Sequence, residues 1–413
     1  MIARAERLQR VGWTRLATAR TIGIAGVVLG LLAFWFALPP LTTRTEALPV
    51  AVGVLGVACG IAAATRGEKR VGWGAVVIAA LGIAGGILAT RAAVDNLEVV
   101  ITWSALVAAM LRFATPLTFA AIGGMFSERS GVVNIGLEGM MLMGAFFGFW
   151  GADKTGSWVG GLAIGMAGGA ALALVHGFFS IHLRADQIVS GTAVNFLALG
   201  LTGYLLIDIY GTEATPTDIP EIPKAPPKGW LEDHVPPDSL GKFLEDAVGQ
   251  LNLMIWIALA VVIMSYVVMF KTPIGLRIRS VGEHPRAADT VGISVYRIRY
   301  GAVALSGALA AMGGVYLSVG SARGFTENMT AGRGFIALAA LIFGNWRPFG
   351  ALGAALLFGF SSAFAPRLEN VQAWSEYGTL FQALPYLLTL IAVAGLIGRT
   401  TPPAAIGQPY AKQ

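Results

Sequence analysis

The sequence predicts an all-α membrane protein, a polytopic transmembrane helical bundle of about 10–12 spans, with two candidate regions for discontinuous helices. Of its 413 residues, 55% are hydrophobic and only 13% are charged. Soluble proteins carry about 25% charged residues, roughly twice that share. The chain also contains 54 glycines, and small residues allow helices in a bilayer to pack closely. These observations together indicate a bundle embedded in a lipid bilayer.

The apolar runs define the predicted spans. A helix needs about 20 apolar residues, at a rise of about 1.5 Å each, to cross the hydrocarbon core. The first run follows a basic segment and lacks a small-residue cleavage pattern, so we expect a retained span and not a signal peptide. The predicted spans are 21–38, 48–64, 71–90, 99–125, 131–150, 158–180, 187–207, 252–270, 300–319, 333–346, 350–365 and 379–397.

The charges of the connecting segments predict how these spans are oriented, because short loops rich in Lys and Arg stay on the cytoplasmic side. Counting alternately places the acidic, proline-rich segment 208–251 outside, as an extended loop with a candidate amphipathic helix at Leu240–Val248. Both termini are then cytoplasmic, and the protein is expected in the cytoplasmic membrane. The segments predicted inside are 1–20, 65–70, 126–130, 181–186 and 271–299.

Two regions fit simple crossings poorly. Spans 333–346 and 350–365 are short and are joined by a tight turn, so they are either full crossings or half-helices that dip in and return. The region 110–135 contains Pro116 and several glycines, together with charged residues, and is a candidate discontinuous helix.

Several classes of function find no support in the sequence. The single cysteine, Cys59, rules out an internal disulfide and a site with several thiolate ligands. The net charge of +6 follows from the loops, and without a long basic run we expect no nucleic-acid partner. The chain lacks a phosphate-binding P-loop, a nucleophile elbow and an HExxH motif. We therefore expect neither an enzyme nor a resident cofactor.

The basic segment 271–299 has the features of a docking element. Pro273 and Pro285 break helices, so we expect at most a short helix, near 286–291. Small residues within about one and a half turns form a surface that another protein can approach closely. An ordinary basic loop is the alternative interpretation. The small residues are Ala287, Ala288 and Gly292.

Two groups of polar residues inside apolar runs are candidates for a translocation path. If 131–144 is helical, Asn134 and Glu138 share a face, and a carboxylate within a span belongs in the bundle interior or on a water-filled route. Gln187, Ser190 and Asn195, with Thr192, lie at the start of another span. The alternative role for these residues is helix–helix packing. For Glu138 the path and packing interpretations are evenly balanced, and for the second group the packing interpretation is favoured. The segment 323–333 is expected to be an external loop.

Three stretches carry a resemblance to a known family. In order and spacing, from about Ile101 to Gly398, the chain resembles ABC-importer permeases of the branched-chain amino acid / simple sugar superfamily. More narrowly, it is similar to the nucleoside-type permeases that work with a basic-membrane-protein family lipoprotein. The stretches are Phe126–Gly144 (FSERSGVVNIGLEGMMLMG), Asp186–Asn195 (DQIVSGTAVN) and Thr272–Gly292 (TPIGLRIRSVGEHPRAADTVG).

The resemblance implies a mechanism and a set of partners. The third stretch matches the coupling pattern Glu-Ala-Ala-x-x-x-Gly, with Arg286 in place of the glutamate. An ABC ATPase subunit, which holds ATP and Mg²⁺, would dock there, a second permease would complete a homo- or heterodimer, and an extracytoplasmic solute-binding lipoprotein would deliver the solute. The implied ATPase-coupling residues are Gly282, Glu283, Pro285, Arg286, Ala287, Ala288 and Gly292.

The resemblance also divides the chain into an N-terminal extension with three spans (1–100), a permease domain (101–398) and a cytoplasmic tail (399–413). The leading hypothesis is import of nucleosides or a related small polar solute such as a simple sugar. A secondary transporter driven by a proton or sodium gradient is the alternative, motivated by the number of spans and by Glu138. A non-transporting scaffold or receptor is the third hypothesis.

Overall fold

The computed structural model describes residues 2–37, 45–91, 102–211, 215, 218–226, 239–249, 251–369, 383 and 400–412. This part of the chain is mostly helical and contains one pair of two-residue strands, which confirms the predicted all-α class. The helices are α1 (Ile2–Trp35), α2 (Ala47–Thr65), α3 (Lys69–Arg91), α4 (Trp103–Arg129), α5 (Leu137–Thr155), α6 (Trp158–Gly177), α7 (Gln187–Tyr210), α8 (Ser239–Val248), α9 (Leu253–Lys271), α10 (Pro273–Glu283), α11 (Pro285–Thr290), α12 (Val295–Val315), α13 (Arg333–Phe343) and α14 (Pro348–Glu369).

Short irregular elements complete this order. Wider π-helical turns, Phe178–His182 and Tyr316–Ala322, continue α6 and α12. The strands β1 (Lys224–Ala225) and β2 (Leu251–Asn252) pair antiparallel on either side of α8. The amphipathic helix predicted at Leu240–Val248 is confirmed as α8. Much of the predicted extended loop around it lies outside the described residues.

Most of the helices can cross a bilayer. Among the described residues, eight helices are long and apolar enough to span a membrane, judged by length and composition: α2, α3, α4, α6, α7, α9, α12 and α14. Each of them falls on a predicted span. The predicted span 379–397 lies, apart from residue 383, outside the described residues.

The two short spans differ in length, which resolves the choice left open between half-helices and crossings. Helix α13 has 11 residues, so it is roughly 16 Å long, well short of a hydrocarbon core of about 30 Å. Helix α14 has 22 residues, which is enough to cross. The turn between them places Asn345 and Trp346 at positive φ. We therefore describe α13 as a half-helix.

The expectation of a discontinuous helix over 110–135 is wrong for its first part, because α4 runs unbroken through Pro116. Proline lacks the N–H that would donate to the carbonyl four residues earlier, here that of Arg112, and a packed bundle tolerates this loss. The chain leaves the helix only after Arg129, where Gly131 adopts a φ of +94° that favours glycine.

The expectation that 271–299 holds at most one short helix is also wrong, because it forms both α10 and α11. Pro273 and Pro285 each stand at the beginning of a helix, where the missing N–H would have no partner within the helix. The Thr272 side chain caps α10 by accepting from the Gly275 N–H. The prolines therefore start these helices and do not interrupt them.

The chain forms two compact units, Met1–Leu106 with Ser361–Arg399, and Val107–Phe360 with Thr400–Gln413. In the first unit, α1, α2 and α3 pack through small residues. A Cβ atom added at Gly26 would lie 2.8 Å from the Gly56 carbonyl oxygen, so the two backbones touch. In the second unit, α5, α6 and α12 pack closely on one another. Its largest fully buried side chains include Phe119, Phe146, Phe149, Phe325 and Phe358.

Candidate functional site: a surface groove and a buried polar turn

A groove of about 280 Å³ opens on the surface where α10 and α11 meet. Among its lining residues Val291 is 74% exposed, and Ala287 is also exposed. Small and apolar side chains therefore lie at the surface of this groove, beside the polar side chains of Ser280, Glu283 and His284. The lining residues are Ser280, Glu283, His284, Ala287, Ala288, Val291 and Ile293.

The residues implied to couple to an ATPase lie in and around this groove. Glu283, Ala287 and Ala288 line it, while Pro285 begins α11 and the Arg286 side chain is exposed. The side chain of Ala288, which we expected at the surface, is only 3% exposed. Ala287 is therefore the small residue of α11 that a partner protein can reach.

The two glycines of this group have backbone roles. Gly282 is buried at the end of α10, and a Cβ atom there would collide with the Arg129 carbonyl group. Gly292 follows α11 with a φ of +82° and has open space around it. Glycine is favoured at Gly292 by the backbone conformation, so α11 lies between a proline and a turn that contains a glycine.

A buried polar turn, residues 130–136, is the second feature. We expected Asn134 and Glu138 to share a helical face, but this is wrong because α5 begins only at Leu137 and Asn134 precedes it. Asn134 is fully buried and its amide donates to the Ser306 hydroxyl of α12 at 2.8 Å. The turn is thus tied to the central helices by side-chain hydrogen bonds.

The predicted residues of α7 bind the backbone of this turn and of α5. Gln187 accepts a hydrogen bond from the Val133 N–H at 2.7 Å. Asn195 accepts from the Gly139 N–H at 2.7 Å and donates to the Ile135 carbonyl at 3.0 Å. These side chains therefore satisfy backbone groups that would otherwise be left without partners inside the bundle.

The remaining α7 residue, Ser190, acts through a histidine that the sequence did not single out. The His176 ring places Nδ1 3.0 Å from the Ser190 hydroxyl and Nε2 3.0 Å from the Val133 carbonyl. Since a carbonyl only accepts, Nε2 carries the proton in this contact, and Nδ1 is free to accept from Ser190. His176 is fully buried and joins α6, α7 and the polar turn.

Glu138 anchors the start of the half-helix α13. Its carboxylate accepts hydrogen bonds from the Thr330 hydroxyl at 2.6 Å, from the Gly332 N–H at 2.7 Å and from the Gly334 N–H at 2.5 Å. The first backbone N–H groups of a helix have no partner within the helix and carry partial positive charge, so a carboxylate is a favourable cap. Glu138 is 8% exposed and thus holds α13 from inside the bundle.

A second buried carboxylate holds the other end of α13. Glu128 is 3% exposed and accepts from the indole N–H of Trp346 at 2.6 Å, in the turn that follows α13. The Arg129 guanidinium donates to the Trp346 carbonyl at 3.0 and 3.1 Å. The half-helix is therefore fixed at both ends by residues from α4 and α5.

The final described segment, residues 400–412, was predicted only as a tail, yet it packs on this region. Tyr410 is 6% exposed and lies in an apolar cluster with Val281, Ala288 and Val295. Sequence reasoning also missed Ser306 and Thr330. His176 could have been noticed because it is a lone histidine inside an apolar run. No sequence pattern near Tyr410 indicated that its side chain is buried.

Comparison with known proteins identifies relatives of the chain. Residues 106–393 match the family described as branched-chain amino acid transport system / permease component. The chain is similar to the guanosine ABC transporter permease protein NupQ of Bacillus subtilis, at 44% identity over 76% of this chain and 99% of the relative. It is 39% identical to the nucleoside ABC transporter permease protein NupC of Lactococcus lactis, over 76% of this chain and 99% of that protein.

A third relative suggests a different solute. The putative glucose ABC transporter permease protein TsgC13 of Haloferax volcanii is 36% identical over 64% of this chain and 77% of its own length. No solved structure matches the chain.

Proposed function

The chain belongs to the branched-chain amino acid transport system / permease component family, and we propose that it carries nucleosides across the cytoplasmic membrane. It is the permease subunit of an ATP-binding cassette importer for nucleosides or sugars, a transport component and not an enzyme. The observation that carries the choice of nucleosides is the 44% identity to a guanosine permease over nearly the whole of that relative.

The proposed ATPase site is the α10–α11 groove. ATP and Mg²⁺ are held by the partner ATPase, and closure of the ATPase dimer would move α11. Two features support this placement: the match of Ala287, Ala288 and Gly292 to the coupling pattern, and the exposure of Ala287 beside an open groove. Transmission then requires two global states of the permease that the ATPase favours differently.

Docking of the ATPase at the groove also implies how the chain is oriented in the membrane. The described tail packs on α10 and α11, so if the groove faces the cytoplasm, the tail lies on the cytoplasmic side as well. The basic segment 1–20 favours the same side for the other terminus. A second permease subunit and an extracytoplasmic solute-binding lipoprotein complete the proposed complex.

The proposed moving part of the route is the half-helix α13 with the polar turn beside it. Half-helices at membrane depth are tolerated where they face protein or water, and their ends are common sites of solute contact in transporters. Asn134, Glu138, Gln187, Ser190 and Asn195 hold the backbone around α13 and the turn. We propose that they act on the route by positioning this backbone.

Reconstitution tests the function. Proteoliposomes with the chain, its ATPase, the second permease and the binding protein should take up radiolabelled guanosine only with ATP. Leaving out the ATPase, or replacing it by a variant that binds but does not hydrolyse ATP, should abolish uptake. Uptake by the chain alone that stops with an uncoupler would instead support the gradient-driven alternative. ATP-driven uptake of glucose but not guanosine would overturn the choice of solute alone.

A further inference from the structure

The final described segment, residues 400–412, forms a bridge that we call the C-terminal strap. Its backbone makes hydrogen bonds with elements far apart in the sequence. The Ala405 N–H donates to the Gly282 carbonyl of α10 at 2.9 Å, and the Gly407 N–H donates to the Gly131 carbonyl at 3.1 Å. The strap therefore joins the helix beside the groove to the beginning of the polar turn.

Tyr410 links the strap to α11. Its side chain shares an apolar cluster with Ala288, the only buried side chain of α11, and its hydroxyl forms a hydrogen bond with the Asp289 carboxylate. Burial, and then the hydrogen bond with Asp289, raise the pKa of the Tyr410 hydroxyl, which therefore keeps its proton and donates. The buried surface of α11 is thus fastened to the strap.

Arg299 links the strap to α12. Its side chain is 1% exposed, and its Nη1 donates to the Gln408 carbonyl at 3.1 Å. A Cβ atom added at Gly131 would lie 2.9 Å from the Arg299 Nη2, so the guanidinium fills the space beside the turn. A buried guanidinium is costly unless it is hydrogen-bonded, so Arg299 favours the position of the strap in which Gln408 supplies an acceptor.

We propose that the C-terminal strap transmits movement of α11 to the polar turn, with Tyr410 and Arg299 as positioning residues for ATP-driven transport. This inference rests on the proposed docking of an ATPase at the α10–α11 groove. The physical reason is geometric. Because Tyr410 contacts Ala288 and Asp289, a displacement of α11 also moves Tyr410. The strap then passes this displacement to the hydrogen bond between Gly407 and Gly131.

The test uses the reconstituted importer and two readouts, the amount of ATPase retained by the complex and the guanosine taken up per ATP hydrolysed. In Tyr410→Ala and Arg299→Met we expect ATPase retention within about twofold of wild type and uptake per ATP reduced about tenfold. Tyr410→Phe keeps the ring and loses only the bond to Asp289, so we expect an intermediate ratio. The exposed Lys412 supplies a matched control, Lys412→Ala, with the wild-type ratio.

A double variant tests the contact itself. If Tyr410 acts through Asp289, then Tyr410→Phe combined with Asp289→Asn should lose no more than the larger single loss, whereas independent residues add. Wild-type uptake per ATP in both Tyr410→Ala and Arg299→Met would overturn the proposal. So would loss of the ATPase in these variants, since the strap would then only build the docking site. If Tyr410→Ala does not insert into the membrane, the ratio measured for Tyr410→Phe decides.

A different variant tests the docking proposal independently of the strap. Ala287→Arg changes the groove without touching the strap contacts, and a complex with that change that keeps its ATPase and its transport would disprove docking at the groove. Loss of the ATPase in Ala287→Arg, together with a wild-type ratio in the strap variants, would leave docking intact and disprove transmission through the strap.

Discussion

Helices α1–α3 and the second unit bury different kinds of side chain. Among the side chains whose burial is described, every buried polar or charged one lies in the second unit except Ser104 and Ser361. None of them belongs to α1–α3, where buried positions such as Gly26 and Gly56 allow backbones to touch. In the second unit, buried carboxylates, amides and a histidine hold turns and a half-helix in place.

The difference distinguishes helices that only pack in the membrane from the part of the chain that its relatives share. Helices need no polar contacts to pack in a membrane, because small residues and close van der Waals contact are sufficient. Ionisable groups in a bundle interior are costly, so their presence indicates a functional region. The family match begins at residue 106, and the relatives match over nearly their whole length while covering 76% of this chain. Helices α1–α3 therefore lie outside the region that this chain shares with its relatives.

The largest expected effect comes from the groove. Ala287→Arg adds a long charged side chain at a small, exposed position in the centre of the proposed interface. We expect the purified complex to lose the ATPase and uptake to fall roughly 100-fold, because the centre of an interface contributes most of its binding energy. The same addition in the N-terminal helices, Thr65→Arg, is the control and should leave uptake unchanged. Normal uptake and ATPase retention in Ala287→Arg would remove the groove from the mechanism.

The next effect concerns the anchor of α13. Glu138→Ala leaves the Thr330 hydroxyl and two backbone N–H groups without an acceptor, so we expect a loss of about 3 kcal/mol in unfolding free energy, since each unsatisfied buried group costs about 1–3 kcal/mol. Glu138→Gln keeps one acceptor oxygen and should be intermediate. Thermal unfolding in detergent and uptake should fall together. Lost uptake with unchanged thermal stability would instead place the carboxylate on the route itself.

A smaller effect is expected at α7. Asn195→Leu removes the acceptor of the Gly139 N–H and the donor to the Ile135 carbonyl, and we expect a loss of about 1–2 kcal/mol, as for a single side chain that serves backbone groups. Thr90→Val in α3 is the matched control, because the Thr90 hydroxyl only bonds carbonyls of its own helix. Equal thermal stabilities of the two variants would contradict the contrast between the two regions.

The smallest effect is expected from the N-terminal helices as a whole. A chain without residues 2–91 should still insert and should take up guanosine within about a factor of two of wild type, because the region that matches the family begins only at residue 106. ATP-dependent uptake in proteoliposomes, normalised to the inserted protein, measures this. Abolished uptake in a correctly inserted deletion variant would show that α1–α3 take part in transport.

The sequence supports the fold class because the length and apolar content of a span follow from the bilayer itself. The sequence is less informative about where helices begin and end, because tertiary packing can override the local preference of a residue such as proline. Pro116 lies inside a continuous helix because a packed bundle tolerates one missing backbone hydrogen bond, while Pro273 begins a helix that we expected it to break. The polar residues inside the apolar runs were singled out, but their partners were not, since hydrogen bonds such as that of Glu138 to Gly334 join positions far apart in the chain.

The most direct test of the central claim, that the α10–α11 groove receives the ATPase, is site-directed cross-linking. The only native thiol, Cys59, is removed as Cys59→Ser, and Ala287→Cys is compared with Thr65→Cys in the assembled importer. We predict that a short thiol-reactive cross-linker captures the ATPase subunit from Ala287→Cys and not from Thr65→Cys. Capture from neither position, or capture only from Thr65→Cys, would contradict docking at the groove.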